Sequence, residues 1–241
     1  MEYSERLLTG GSWLSRFAHH RRYRKTWNLI RDSKYQLAVD FGCADGWFLK
    51  LAHDAGVISR GLGVDSDESS LALCREKFRN VDGFEFVRPH QVPERIQRSC
   101  DLAVCTETLE HVASARKSLD QILALCRPGA RVIISAPIEL GLSLFAKQAG
   151  RFVTNKLCGE YGYEPYTLPE LIRAGVFWDT TRLNCSHNRT GDAEKGHKGF
   201  DYRKLDRLLR DVMAVGGVEY SPAGPLRGVL NTTVYWTCRV R

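Results

Sequence analysis

The 241-residue chain is 43% hydrophobic and 26% charged, which suits one compact domain with a sizeable core. Its net charge of +7 and pI near 9.0 favour anionic partners without choosing among nucleic acid, lipid headgroups and phosphorylated metabolites. Eight cysteines with no C-x-x-C pair, several at apolar positions, exclude a disulfide framework, and no apolar run approaches the roughly 18 residues of a spanning helix. With no signal peptide at the start, a cytoplasmic protein is expected, with contact at a membrane surface left open.

Residues 1–36 read as a basic helical arm. Trp13, Leu14, Phe17, Trp27, Leu29 and Ile30 can form an apolar stripe, while His19, His20, Arg21, Arg22, Arg24 and Lys25 crowd around Tyr23. Such an arm either packs across the domain with a solvated outer face or captures an anionic group of a substrate.

Residues 37–67 organise the rest. Leu37–Phe41 is a short apolar run carrying Asp40, followed by the tight loop Gly42-Cys43-Ala44-Asp45-Gly46. Trp47, Phe48, Leu51 and Ala55 recur at helical spacing, and Gly61–Val64 is a second strand that ends at Asp65. Glycine lets the backbone turn sharply and lets a ligand come close. Asp65 stands 23 residues after Gly42, where a nucleotide-binding βαβ unit places the carboxylate for a ribose hydroxyl pair.

An acid ahead of the glycines is absent from the usual dinucleotide fingerprint. With Asp40 in that place, the loop resembles the first motif of class I S-adenosylmethionine-dependent methyltransferases, acid-x-Gly-x-Gly-x-Gly, with Ala44 where the family often has its middle glycine. The resemblance implies that Asp40 and the loop of Gly42, Cys43, Ala44 and Gly46 surround the methionyl end of S-adenosylmethionine. It further implies that Asp65 holds the ribose and that Ser66 borders the adenine. At the end of the third strand, where the family often has an acid near the adenine, this chain has Arg88-Pro89-His90.

Downstream, Ser66-Asp67-Glu68-Ser69 is a helix start, and Leu71, Leu73, Cys74 and Phe78 continue that helix. Strands are expected at 84–87, 101–105 and 131–136, with a helix from about Ser114 to Cys126 and a turn at Arg127-Pro128-Gly129. The fourth strand leads into Thr106-Glu107-Thr108-Leu109-Glu110-His111-Val112. With the later run LCRPGARVIISAP, this stretch resembles the ubiquinone-biosynthesis type of the same methyltransferases. That resemblance implies that Thr106 and Glu107 floor the site near the reacting methyl.

Glu107, Glu110 and His111 stand at i, i+3 and i+4, so on a helical turn they share one face. Two carboxylates and an imidazole so placed could bind a divalent cation, given a fourth ligand. The pattern also resembles the metal site of small-RNA 3′-end 2′-O-methyltransferases, with His197 as the candidate for the later histidine and His187 second. In the alternative reading, the acids begin a helix and His111 packs near the methionyl group. Without metal, His111 or His197 could serve as general base.

Residues 137–196 interrupt the alternation. LSLFAKQAGRFVTNKL interleaves Lys147, Arg151 and Lys156 with apolar residues, and Tyr161, Tyr163, Tyr166, Phe177 and Trp178 follow. An acceptor-side lid, a surface-bound amphipathic helix and a packed decoration all fit; Asn184–Gly196 reads as a loop. A helix is expected from Phe200 to Gly216, ended by Gly216-Gly217, then strands at 218–220 and 232–238.

The expected fold is thus α/β: one domain over 1–241, with a Rossmann-like, seven-stranded, mostly parallel sheet, helices on both faces and the inserted lid. The family resemblance places its last strand antiparallel beside the fifth. The expected function is methyl transfer from S-adenosylmethionine, releasing S-adenosylhomocysteine, to an O or N atom of an anionic small-molecule, glycan or lipid acceptor. No Asn/Asp-Pro-Pro-Tyr/Phe run follows strand four, which argues against base-amino methylation of nucleic acid. Three alternatives remain: a divalent-metal-dependent RNA 2′-O-methyltransferase, a nicotinamide-dependent oxidoreductase, and an S-adenosylmethionine-binding regulator without turnover.

Overall fold

The computed structural model describes residues 13–158, 165–185, 197–222 and 224–241. His187, Tyr161, Tyr163 and most of the 184–196 loop lie outside these residues.

Seven strands form one sheet in the order β3-β2-β1-β4-β5-β7-β6. They are β1 (Tyr35–Phe41), β2 (Ile58–Val64), β3 (Phe84–Val87), β4 (Cys100–Thr106), β5 (Cys126–Pro137), β6 (Ala214–Ser221) and β7 (Thr233–Arg239). The first five run parallel, and β7 inserts antiparallel between β5 and β6. The chain leaves β1 towards β2 on one side and returns to β4 on the other. Ligands of open α/β sheets bind above the strand ends at such a reversal.

Helices α1 (Trp13–Ile30), α2 (Trp47–Asp54), α3 (Glu68–Lys77), α4 (Ala115–Leu125) and α7 (Tyr202–Val212) flank the sheet; α5 (Ser143–Cys158), α6 (Leu168–Gly175) and the short α8 (Arg227–Leu230) lie beyond its carboxyl edge. Strands buried on both faces read as near-continuous apolar runs. Ala103, Cys105, Val132 and Ile134 face α4 and α7, while Leu102, Val104 and Ile133 face the layer of α1, α2 and α3. Asp67 caps α3 by accepting from the Ser69 and Ser70 N–H groups. The seven described cysteines are buried and form no disulfide with one another.

Two boundaries differ from expectation. β5 begins at Cys126, opposite Cys100, and carries the Arg127-Pro128-Gly129 turn as an irregularity near its start. The helix expected to reach Gly216, α7, ends at Val212, and Gly216 and Gly217 lie inside β6, at a register shift against β7. Glycine reads as a stop locally, but pairing with β7 carries the strand through it. The Arg241 guanidinium donates to the carbonyls of Arg210, Asp211 and Met213, satisfying the end of α7.

Candidate functional site

A cleft of about 470 Å³ opens at the carboxyl ends of β1, β2 and β4. Its size falls within the roughly 300–1,000 Å³ typical of small-ligand sites. Asp40, Gly42, Cys43, Ala44, Asp65, Ser66, Thr106, Glu107 and His111 all line it. Gly42 and Cys43 donate their N–H groups to the Val64 carbonyl, drawing the loop against the tip of β2. Gly42 has φ +84°, and a β-carbon there would overlap the Thr108 side chain. Ala44 is also left-handed, at φ 46°, so this departure from glycine carries strain of order 1 kcal/mol. Gly46 is not part of the cleft wall; it caps α2 at φ 71°, packed on Cys74, Phe78 and Phe86.

Asp65 accepts from the Ala44 N–H at 2.9 Å and the Asp67 N–H at 3.0 Å, leaving carboxylate lone pairs free on the cleft side. Asp40 is 4% exposed and has no cationic partner among the described residues. Burial, then Asp65 and Asp45, push its carboxyl up to about 7.

The outer wall comes from the N-terminal arm. α1 crosses the cleft and places Arg22 and Tyr23 in its lining. Arg22 Nη2 lies 3.3 Å from Glu107 Oε2, and the Tyr23 ring packs on Trp47 at 4.5 Å between centroids. Lys25 pairs with Glu219 of β6, while His20, Arg21 and Arg24 stay exposed. Locally Arg22 looks like its basic neighbours, but it shares a face with the buried Thr26 and Ile30 at i, i+4 and i+8, the spacing that marks an inward position.

The acid–histidine run is not a helical turn. Glu107 sits at φ 53° and donates its N–H to the Ser135 carbonyl, so its carboxylate turns towards Arg22. Glu110 and His111 turn the other way and meet His197. Nε2 of His111 and Nδ1 of His197 each lie 3.9 Å from Glu110 Oε1, and the two rings stand 4.8 Å apart at 70°. One ligating atom from each of the three falls within 4.8 Å of the others. The expected ligand set therefore loses Glu107 and keeps Glu110, His111 and His197.

Glu110 is fully buried, and neither carboxylate oxygen has a hydrogen-bond partner; His197 Nδ1 is likewise unsatisfied. Burial, then Glu107, raise the Glu110 carboxyl well above its ordinary range. Burial lowers His197 to about 3 despite nearby Glu139, so its imidazole is neutral at physiological pH. His197 is fixed through its neighbour, because buried Lys198 donates to Glu170 Oε2 and the Pro165 carbonyl, each at 2.9 Å.

A family model described as a methyltransferase domain matches residues 16–169. The chain belongs to the methyltransferase-domain family. In fold it is similar to the N-methyltransferase NodS of Bradyrhizobium japonicum WM9 in complex with S-adenosylhomocysteine. That match is 12% identical, covers 97% of this chain and 90% of that one, and has a TM-score of 0.56. A methyltransferase of Aquifex aeolicus is 11% identical over 91% of this chain and 89% of its own, at 0.56. The [4+2]-cyclase SpnF is as similar, 13% identical over 95% and 84%, at 0.57, which shows that the fold alone does not fix the reaction. In sequence, an uncharacterised 37.1 kDa protein of transposon TN4556 from Streptomyces fradiae is 29% identical over 103 residues, 42% of this chain; the match spans 30% of that relative's length.

The fold is that of class I S-adenosylmethionine-dependent methyltransferases, and S-adenosylmethionine is the cofactor that goes with it. The cleft fits that molecule chemically: the buried acid Asp40, without a counter-ion among the described residues, would suit a cationic methionyl end, and Asp65 at the tip of β2 would suit a pair of ribose hydroxyls. Membership of this family sets the nicotinamide alternative aside.

Proposed function

We propose that this methyltransferase moves a methyl group from S-adenosylmethionine to a hydroxyl oxygen of an acceptor that enters beside His111. One observation carries the reading: the cleft lined by Asp40, Asp65 and Thr106 runs directly onto His111, with Glu110 and His197 behind it. Bound S-adenosylmethionine supplies a methyl made electrophilic by its sulfonium, so the protein's share is alignment and removal of one proton. Asp40 faces the methionyl end, Asp65 takes the ribose hydroxyls, and Ser66 with Pro89 borders the adenine. Thr106 and Glu107 form the floor. His111 takes the hydroxyl proton, and the neutral His197 ring beside it limits where the resulting imidazolium can turn. The basic surplus suits an anionic small-molecule, glycan or lipid acceptor.

The test pairs calorimetric titration of S-adenosylhomocysteine with its release during turnover on hydroxylated glycans, lipids and small molecules. His111→Ala should keep the product affinity and lower turnover about 100-fold or more, while Asp65→Ala should lose binding itself. Full turnover in His111→Ala would overturn the assignment.

A second reading rests on the unsatisfied oxygens of Glu110 and Nδ1 of His197. One carboxylate and two imidazoles fit a divalent cation with positions left for acceptor oxygens, as ribose 2′-O-methylation of RNA would use. Manganese should then bind the wild type and not Glu110→Ala. Undiminished turnover after chelation, with no metal by elemental analysis, removes this reading.

A further inference from the structure

In α5 the usual distribution of polarity is reversed. Two of its three cations, Lys147 and Arg151, turn inward onto Glu139, which is fully buried, with contacts of 2.9 to 3.0 Å. Ala146, Ala149, Phe152, Val153 and Lys156 point outward, at the i, i+3, i+7 spacing of one helical face. A helix facing only water carries charge on that side.

The outward apolar face does not stand alone. Among the described residues, every exposed large apolar side chain except Leu73 lies on residues 142–177 or 226–230. Phe177 is 73% exposed, Leu168 68% and Phe152 61%. The elements that carry them are joined: α5 packs on both α6 and α8, the Gly141 N–H donates to the Ala174 carbonyl, and the Ser143 hydroxyl donates to the Asn231 carbonyl. A concentration of this kind marks an interaction surface, whereas single exposed side chains do not.

Charge indicates what covers it. Residues 140–159 and 222–241 contain no Asp or Glu, Lys156 and Arg227 within them are exposed, and Asp179, which lines a groove with Leu168, Ile172 and Phe177, is neutralised by Arg173 at 3.2 Å. The acid of α6, Glu170, turns inward to Lys198, Thr167 and Asn184. Such a face repels a second copy of itself and attracts an apolar layer beneath negative charge. α5 follows the end of β5, and α8 precedes β7 where Thr233 pairs with Pro137. The patch therefore lies at the sheet edge on which the cleft opens.

We infer that the outward face of α5, with α6 and α8, docks on an anionic lipid surface and delivers the site to a lipid-borne acceptor. The choice of acceptor rests on the methyl-transfer reading; the docking does not. Co-sedimentation with phosphatidylcholine vesicles, with and without phosphatidylglycerol, tests it on the full chain. The wild type should pellet with the anionic vesicles and much less with the neutral ones. The double variant Phe152→Ser, Phe177→Ser should bind them at least about tenfold more weakly, with unchanged S-adenosylhomocysteine affinity as proof of folding. Wild type left in the supernatant with both vesicles, or a double variant that pellets equally well, overturns the inference. So does a vesicle-free wild-type dimer, seen by ultracentrifugation, that the variant loses. Product binding without vesicle binding would sink the docking and leave methyl transfer standing; vesicle binding without product binding would do the reverse.

Discussion

At Gly42 the backbone is left-handed and a methyl group would collide with Thr108. Gly42→Ala should cost about 2 kcal/mol or more in urea denaturation and weaken S-adenosylhomocysteine binding with it. Asp40 makes a prediction in pH. Its carboxyl holds a proton up to about 7 in the fold against roughly 4 in the unfolded chain. Its contribution to stability is therefore complete below pH 4 or so and is lost as pH rises through about 7, worth of order 4 kcal/mol by linkage. Asp40→Asn should be the more stable protein at pH 8 in the absence of cofactor, and the weaker binder of it. Asp40 and Asp65 were legible in the sequence because one acid stands just ahead of the glycine loop and the other 23 residues after Gly42, at the end of the next strand. Glu107 was legible as part of the floor, but its absence from the ligand set was not: the spacing of its acids suggested a helix, and the left-handed turn after β4 separates it from Glu110.

Element by element, alternation of apolar runs and helical spacing gave the sheet, because strands buried on both faces leave an uninterrupted apolar signal. It failed at β6, where Gly216-Gly217 is a stop signal that pairing with a distant strand overrides. Nor could it see why α5 carries Lys147 and Arg151, since their partner Glu139 precedes the helix and is buried only in the folded chain. Glu139→Gln should leave two cations poorly compensated and cost about 3 kcal/mol or more, read as a lower urea midpoint with an unchanged slope.

For the whole molecule, ligand binding and stability are linked. S-adenosylhomocysteine at about 100 times its dissociation constant should add about 2.7 kcal/mol, a rise in melting temperature of roughly 5–10 °C that Asp65→Ala abolishes. This scale was the least legible. His111 and His197 are 86 positions apart in the chain, and no spacing rule joins them; a family resemblance named the pair, and the return of the chain past Lys198 brings it together.

α1 closes the cleft with Arg22, and the same stretch holds Arg21, Arg24 and Lys25. A protease that cuts after arginine and lysine therefore finds its densest run of targets in the wall that a bound nucleoside would press against. Occupancy should show on a gel: trypsin should clip the empty protein near its amino end and spare the loaded one, so ligands can be screened before any acceptor is known.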